Sequence, residues 1–152
     1  MEITHLKTIL YIEDDPVVRT AYQNRLVKQG FHVEIAQDGL EAMKLLSMMT
    51  PDLVILDLML PKFNGVEVLK FIRSKSHLGT VPVIILSTNS IIDAAQEYVL
   101  EQASKRLIKE HCNFAIMLAA IEELLPAAVP QEKEAFSVNP FLTPVNGKLA
   151  AA

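Results

Sequence analysis

The chain has one cysteine, five glycines and no long apolar run in its 152 residues, and each shortage excludes something. The lone Cys112 has no partner for an internal disulfide, which fits a reducing cytoplasm. The richest apolar stretches, Leu53–Leu60 and Phe114–Ile121, fall far short of the roughly 18 residues that cross a bilayer. Met1-Glu2-Ile3-Thr4-His5 lacks the basic and apolar regions of a signal peptide. Basic residues are also short, with 14 Lys and Arg against 18 Asp and Glu for a net charge of −4. No basic run leaves the footprint of a nucleic-acid surface. No GxxxxGK[ST] loop is present, and no GxGxxG follows the first apolar run, so nucleotide and dinucleotide cradles are absent. No Cys/His spacing suits zinc. What remains is a 51% apolar chain with a mean hydropathy of +0.28, rich enough for one buried core. The expectation is a one-domain cytoplasmic protein that contacts neither membrane nor nucleic acid.

Two periods alternate along the sequence. Short β-branched runs occur at Thr8–Ile12, His32–Ala36, Leu53–Leu56, Val83–Leu86 and, weakly, Leu107–Ile108. Between them lie helical stripes: Ala42, Leu45, Leu46 and Met49; Ile91, Ala94, Ala95 and Tyr98; and Phe114, Met117, Leu118, Ile121 and Leu125. Asp15-Pro16 suits an N-cap followed by proline at the first helical position, and Gly30 can close that helix. Thr88 and Asn89 are candidate caps for the fourth helix. Strands apolar at successive positions need cover on both faces, which predicts a parallel sheet. Right-handed crossovers then give a three-layer, doubly wound (βα)5 fold. The domain is expected to run over 1–125, with 126–147 a linker or C-terminal tail and 148–152 (Lys-Leu-Ala-Ala-Ala) derived from a vector.

Ligands of such a sheet collect beyond the carboxyl ends of its strands. There strand 1 delivers Glu13-Asp14-Asp15, strand 3 Asp57, strand 4 Ser87-Thr88-Asn89 and strand 5 Lys109. Asp15 reads as the cap before Pro16, and the four scattered histidines form no ligand or triad spacing. Carboxylates from adjacent strands repel unless a positive charge lies between them. Oxygen-only ligands select a hard cation such as Mg²⁺. Carboxylates, Mg²⁺, a lysine and a hydroxyl together suit phosphoryl transfer, with one carboxylate as nucleophile.

Four segments carry a resemblance: Ile9–Pro16 (ILYIEDDP), Pro51–Pro61 (PDLVILDLMLP) with Gly65 beyond, Val81–Ser87 (VPVIILS), and Lys109. In that order and spacing the chain resembles, over about residues 6–125, the receiver domain of bacterial two-component response regulators of the chemotaxis-regulator kind. The resemblance implies a flavodoxin-like five-stranded parallel sheet of order 2-1-3-4-5. It implies Asp57 as phosphoacceptor, with Lys109 and Ser87 contacting the phosphoryl group. It implies Mg²⁺ held by Glu13, Asp14, Asp57 and the backbone carbonyl of Met59. The implied partners are a sensor histidine kinase or phosphotransfer protein, and either a protein effector or a C-terminal output domain. A homodimer through the helix 4–strand 5–helix 5 face is also implied. The implied role is a switch rather than an enzyme.

Three positions depart from the family pattern. Glu110 stands where a proline usually follows the lysine, so the loop after strand 5 is expected to take another path. Arg106 replaces a switching aromatic, and Gln102 replaces a glycine at the end of helix 4. These departures leave a phospho-independent binding module of the same fold as the alternative. An aspartate-nucleophile phosphohydrolase is disfavoured, because the position two beyond Asp57 is Met59, which cannot shuttle protons.

Overall fold

A computed structural model describes residues 5–88 and 93–125. The tail expected over 126–147, the residues 148–152 and the candidate cap Asn89 lie outside the described residues. The elements are β1 (Thr8–Ile12), α1 (Pro16–Lys28), β2 (His32–Ala36), α2 (Gly39–Met48), β3 (Leu53–Asp57), α3 (Gly65–Ser74), β4 (Val83–Ser87), α4 (Ala94–Leu100), β5 (Lys105–Ile108) and α5 (Phe114–Leu124). A short 3₁₀ turn, Lys109–His111, links β5 to α5. The strands form one parallel sheet of order β2-β1-β3-β4-β5, the expected architecture.

Alternation along the central strands builds two cores. Leu10, Ile12, Val54, Leu56, Val83 and Ile85 pack with Ala42, Leu46, Val68, Leu69, Ile72, Val99 and Leu100 of α2, α3 and α4. Ile9, Tyr11, Leu53, Ile55, Ile84 and Leu86 pack with Leu26 of α1 and with Phe114, Met117, Ala120 and Ile121 of α5. Every residue of β3 and β4 is buried, as strands covered on both sides must be. The α5 stripe is the one the sequence pattern gives, with Phe114, Met117 and Ile121 inside.

Capping fixes the helix starts. Asp15 accepts hydrogen bonds from the Val17 and Val18 N–H groups ahead of Pro16. Asn64 and Glu67 form a reciprocal capping box on α3. Gly30, at φ +100°, follows α1 in a backbone conformation that disfavours other residues.

Four sequence expectations need correction. The fourth helix is capped by Asp93, whose side chain accepts from the Gln96 N–H, and not by Thr88. Its predicted stripe is not its buried face: Ala94, Ala95 and Tyr98 are exposed, and Val99 and Leu100 go inside. The cause is length, since only the last turn of this seven-residue helix reaches the sheet. Met49 lies beyond α2 in extended backbone. The fifth strand also begins earlier than its apolar signal, at Lys105. An edge strand packs mainly one face, so Lys105 and Leu107 are half-buried while Arg106 and Ile108 stay exposed.

The loop after β3 folds back against the start of α2. Gly39 N–H donates to the Pro61 carbonyl at 3.2 Å, and Lys62 and Phe63 both take positive φ. A Cβ on Gly39 would stand 1.8 Å from the Phe63 carbonyl oxygen, a backbone atom with nowhere to go. Gly39→Ala is therefore expected to lower unfolding stability by about 1–3 kcal/mol, the usual cost of forced overpacking. Urea denaturation with an unchanged m-value would report it.

Candidate functional site

Four of the five strands bring a polar residue to one edge of the sheet. Because β1 and β3 are hydrogen-bonded neighbours, with Ile12 opposite Leu56, the residues that follow them emerge side by side. Glu13 is fully buried, Asp57 is 1% exposed, and Asp14 faces solvent. Carboxylate oxygens of Glu13, Asp14 and Asp57 lie within 4.8 Å of one another. Ser87 ends β4, buried, one residue beyond the Asp57–Leu86 pair. Thr88 follows it, half-buried.

Each buried charge needs a partner, since an unpaired one is costly. Asp57 accepts on both oxygens, from the Met59 backbone N–H at 3.0 Å and from Lys109 Nζ at 2.9 Å. Lys109 Nζ also stands 3.6 Å from Glu13 Oε1. The other Glu13 oxygen accepts from the Asp15 N–H at 3.2 Å. Glu13 Oε1 has no hydrogen-bond partner although it is buried. Met59 itself is 62% exposed, so its contribution to the site is through the backbone.

The peptide after Lys109 is trans, and the chain enters a 3₁₀ turn there. With Glu110 instead of proline the loop still delivers the Lys109 ammonium to Asp57. Burial would lower the Lys109 pKa, but the hydrogen bond and charge of Asp57, helped by Glu13, outweigh it and raise the pKa. Desolvation first, and the nearby Asp57 charge second, push Glu13 up to about 7.

The contacts of three basic residues were not legible in the sequence. Arg19, one turn into α1, donates from Nη1 to the carbonyls of Glu13 (3.0 Å) and Asp14 (3.3 Å), which holds the acidic loop closed over the sheet edge. Its only sequence signal is its place four residues after the Asp15 cap. Arg106, exposed on β5, forms an ion pair with Glu97 of α4, and Lys105 pairs with Glu123 of α5. That hydrogen bond from Arg106 holds the Glu97 carboxyl below its ordinary range.

A hard divalent cation fits this donor set. All the ligands are oxygens, three carboxylates converge, and the buried Glu13 Oε1 is left without a hydrogen-bond partner. Glu13, Asp14 and Asp57 are the residues that could hold it. A basic group and a hydroxyl residue end neighbouring strands at the same edge, and together these parts can offset the charge of a phosphoryl group on Asp57.

Comparison with known proteins agrees with this geometry. The family model "Response regulator receiver domain" matches residues 9–122. The response regulator MprA of Mycobacterium sp. (strain KMS) is 32% identical over 126 residues, covering 82% of this chain and 53% of the relative. The transcriptional regulatory protein AfsQ1 of Streptomyces coelicolor is 37% identical over 111 residues, covering 68% of this chain and 48% of the relative. The chain thus spans about half the length of these curated relatives. Among solved structures, the response regulator TrrA of Thermotoga maritima, in complex with Mg(2+)-BeF, superposes with a TM-score of 0.68 at 28% identity, covering 78% of this chain and 99% of that one. No helix among the described residues is long and apolar enough to cross a membrane.

The raised Glu13 pKa has a signed consequence for the metal-free chain. The unfolded carboxyl ionises near 4.5 and the folded one near 7, so the folded state keeps the extra proton between those values. The resulting contribution to stability is full below about 4.5 and is lost as the pH rises towards 7. Glu13→Gln is expected to flatten that decline. Chemical denaturation of both proteins across the window, in chelator, checks it.

Proposed function

We infer the function from one premise: this chain belongs to the response regulator receiver domain family of two-component signalling. It is a module of phosphorylation-based signalling, and its relatives include bacterial response regulators. Asp57 is the phosphoacceptor. The observation that carries this reading is the position of Asp57 Oδ2, buried at the strand edge, within hydrogen-bond reach of Lys109 and beside the acidic pair of β1.

In the transfer an Asp57 oxygen attacks the phosphorus of a donor phosphohistidine. A P–O bond forms, the P–N bond breaks, and the imidazole leaves with its electron pair. Glu13, Asp14, Asp57 and the Met59 carbonyl would hold Mg²⁺, which supplies positive charge to the phosphoryl oxygens when bound. Burial of Asp57 against Glu13 sets the attacking carboxylate in a water-poor recess, where fixed charges act strongly. Lys109 then transfers its hydrogen bond from the Asp57 carboxylate to a phosphoryl oxygen, and the Ser87 hydroxyl donates to another. These new bonds favour one of two arrangements of the β4–α4 region, and the shift is limited to their differential energy.

The donor is a sensor histidine kinase or a phosphotransfer protein. The relatives' greater length supports an output domain beyond this segment, with 126–147 as its linker. A separate protein effector and homodimerisation through α4, β5 and α5 are the other routes of output. The domain itself contacts no nucleic acid and no membrane, and it works in the cytoplasm as a switch. Met59, exposed and without an ionisable group, offers no proton shuttle for repeated hydrolysis. One observation favours a second reading: Arg106 is bound to Glu97 where the family's switching aromatic would stand, which suits constitutive, phospho-independent binding.

Incubation with a small phosphodonor such as acetyl phosphate and Mg²⁺ is expected to add one phosphoryl mass to the intact protein. Asp57→Asn abolishes the adduct, chelator prevents it, and Lys109→Ala leaves it weak. An unlabelled wild type, beside a control receiver that labels, overturns the reading in favour of the phospho-independent one.

A further inference from the structure

Beside the acidic edge, on the α1–α5 side of the sheet, lies a cavity of about 230 Å³ lined by Tyr11, Glu13, Val18, Tyr22, Leu86, Lys109 and Cys112. Asp57 is not among its walls. Tyr11 is fully buried, and its hydroxyl has no hydrogen-bond partner. Phosphoryl transfer at Asp57 uses Glu13 and Lys109 but gives this hydroxyl nothing to do. A buried hydroxyl without a partner costs roughly 1–3 kcal/mol.

Water can satisfy only the polar corner of the space, where Tyr11, Glu13 and Lys109 meet. One water needs about 10–15 Å³ of such volume and two to four polar partners. The cavity has room for many waters, yet most of its wall is apolar. An engineered apolar cavity of about 150 Å³ takes benzene. Sites for drug-sized molecules run from about 300 Å³ upward, so a nucleotide is too large here. Glu13 and Lys109 both line the space, and their opposite charges favour neither a free anion nor a free cation. The Tyr11 and Tyr22 rings, 6.1 Å apart and tilted by 55°, offer aromatic surface to a flat guest.

We propose that this cavity is a binding site for a small neutral aromatic molecule of one ring, seated against Tyr22 with its hydrogen-bonding edge on the Tyr11 hydroxyl. The occupant touches Lys109, which holds Asp57 at 2.9 Å, so the site gives a small molecule access to the phosphoacceptor's own partner. The site does not depend on phosphorylation, and Asp57→Asn retains it.

The test is an amide NMR titration of the full chain, free of metal, with phenol as the probe and benzene as its counterpart without a hydroxyl. Phenol is expected to give saturable shifts at Tyr11, Val18, Tyr22, Leu86 and Cys112. Tyr11→Phe keeps the ring and removes the hydroxyl. It should weaken phenol about fivefold, the worth of one neutral hydrogen bond, and leave benzene unchanged. Val18→Phe fills the space and should exclude both. An unchanged amide spectrum outside the cavity shows that each variant is folded. The proposal is overturned by non-saturating shifts, by phenol binding that survives Val18→Phe, or by phenol binding indifferent to Tyr11→Phe.

Discussion

The structure is organised around a conflict of like charges. Parallel pairing of β1 and β3 forces Glu13, Asp14 and Asp57 to emerge at one point, two of them inside the protein. Nothing in the folding of an apolar sheet calls for this, because a hydrophobic residue at either buried position would be cheaper. The surrounding contacts address the problem. Lys109 crosses from the end of β5 to lie against both buried acids, the Met59 and Asp15 N–H groups take one oxygen each, and Arg19 fastens the loop that carries the pair. One Glu13 oxygen is still left over. A site that remains one ligand short after recruiting this much support is built to receive positive charge from outside.

The fold and the acidic edge were both legible in the sequence because the same residues encode them. LVILD in β3 is apolar at every position but the last, so a doubly covered strand and a solitary carboxylate at its end are read together. The end of β1 is read the same way. The spatial order of the strands was not visible in their composition. It came with the resemblance, and the structure has it as β2-β1-β3-β4-β5. The sequence reading failed where packing is one-sided. β5 spends two of its four residues on side chains paired with neighbouring helices, so only Leu107–Ile108 registers as apolar. In α4, helical spacing of Ala and Tyr looked like a core stripe, but a helix of seven residues lays only its final turn on the sheet.

Arg19 and Tyr11 were hidden for different reasons. An arginine on an exposed helix turn is ordinary, and only coordinates show its guanidinium turned back to two carbonyls. Tyr11 sits within an apolar run and is buried like its neighbours, so its hydroxyl is easily counted as core. Most tyrosines in such positions reach a partner. The unmatched hydroxyl is visible only once every neighbour has a place.

The departures from the family pattern divide cleanly. With Glu110 in place of proline the peptide is trans and the contact is kept: the 3₁₀ turn brings Lys109 to Asp57. A flexible four-carbon stem can absorb a shift of its own backbone, which explains why the acidic corner tolerates the change. The α4–β5–α5 side is held differently. Arg106 is tied to Glu97 and Lys105 to Glu123, so β5 is fastened to α4 on one side and to α5 on the other by solvent-exposed ion pairs. Exposed pairs are individually weak and are screened by salt. An aromatic switch works by moving between buried and exposed packing, whereas a charged strap works by holding position until something competes for the charge. In this chain both straps lie in solvent, so rising salt is expected to loosen the tie between β5 and its two neighbouring helices.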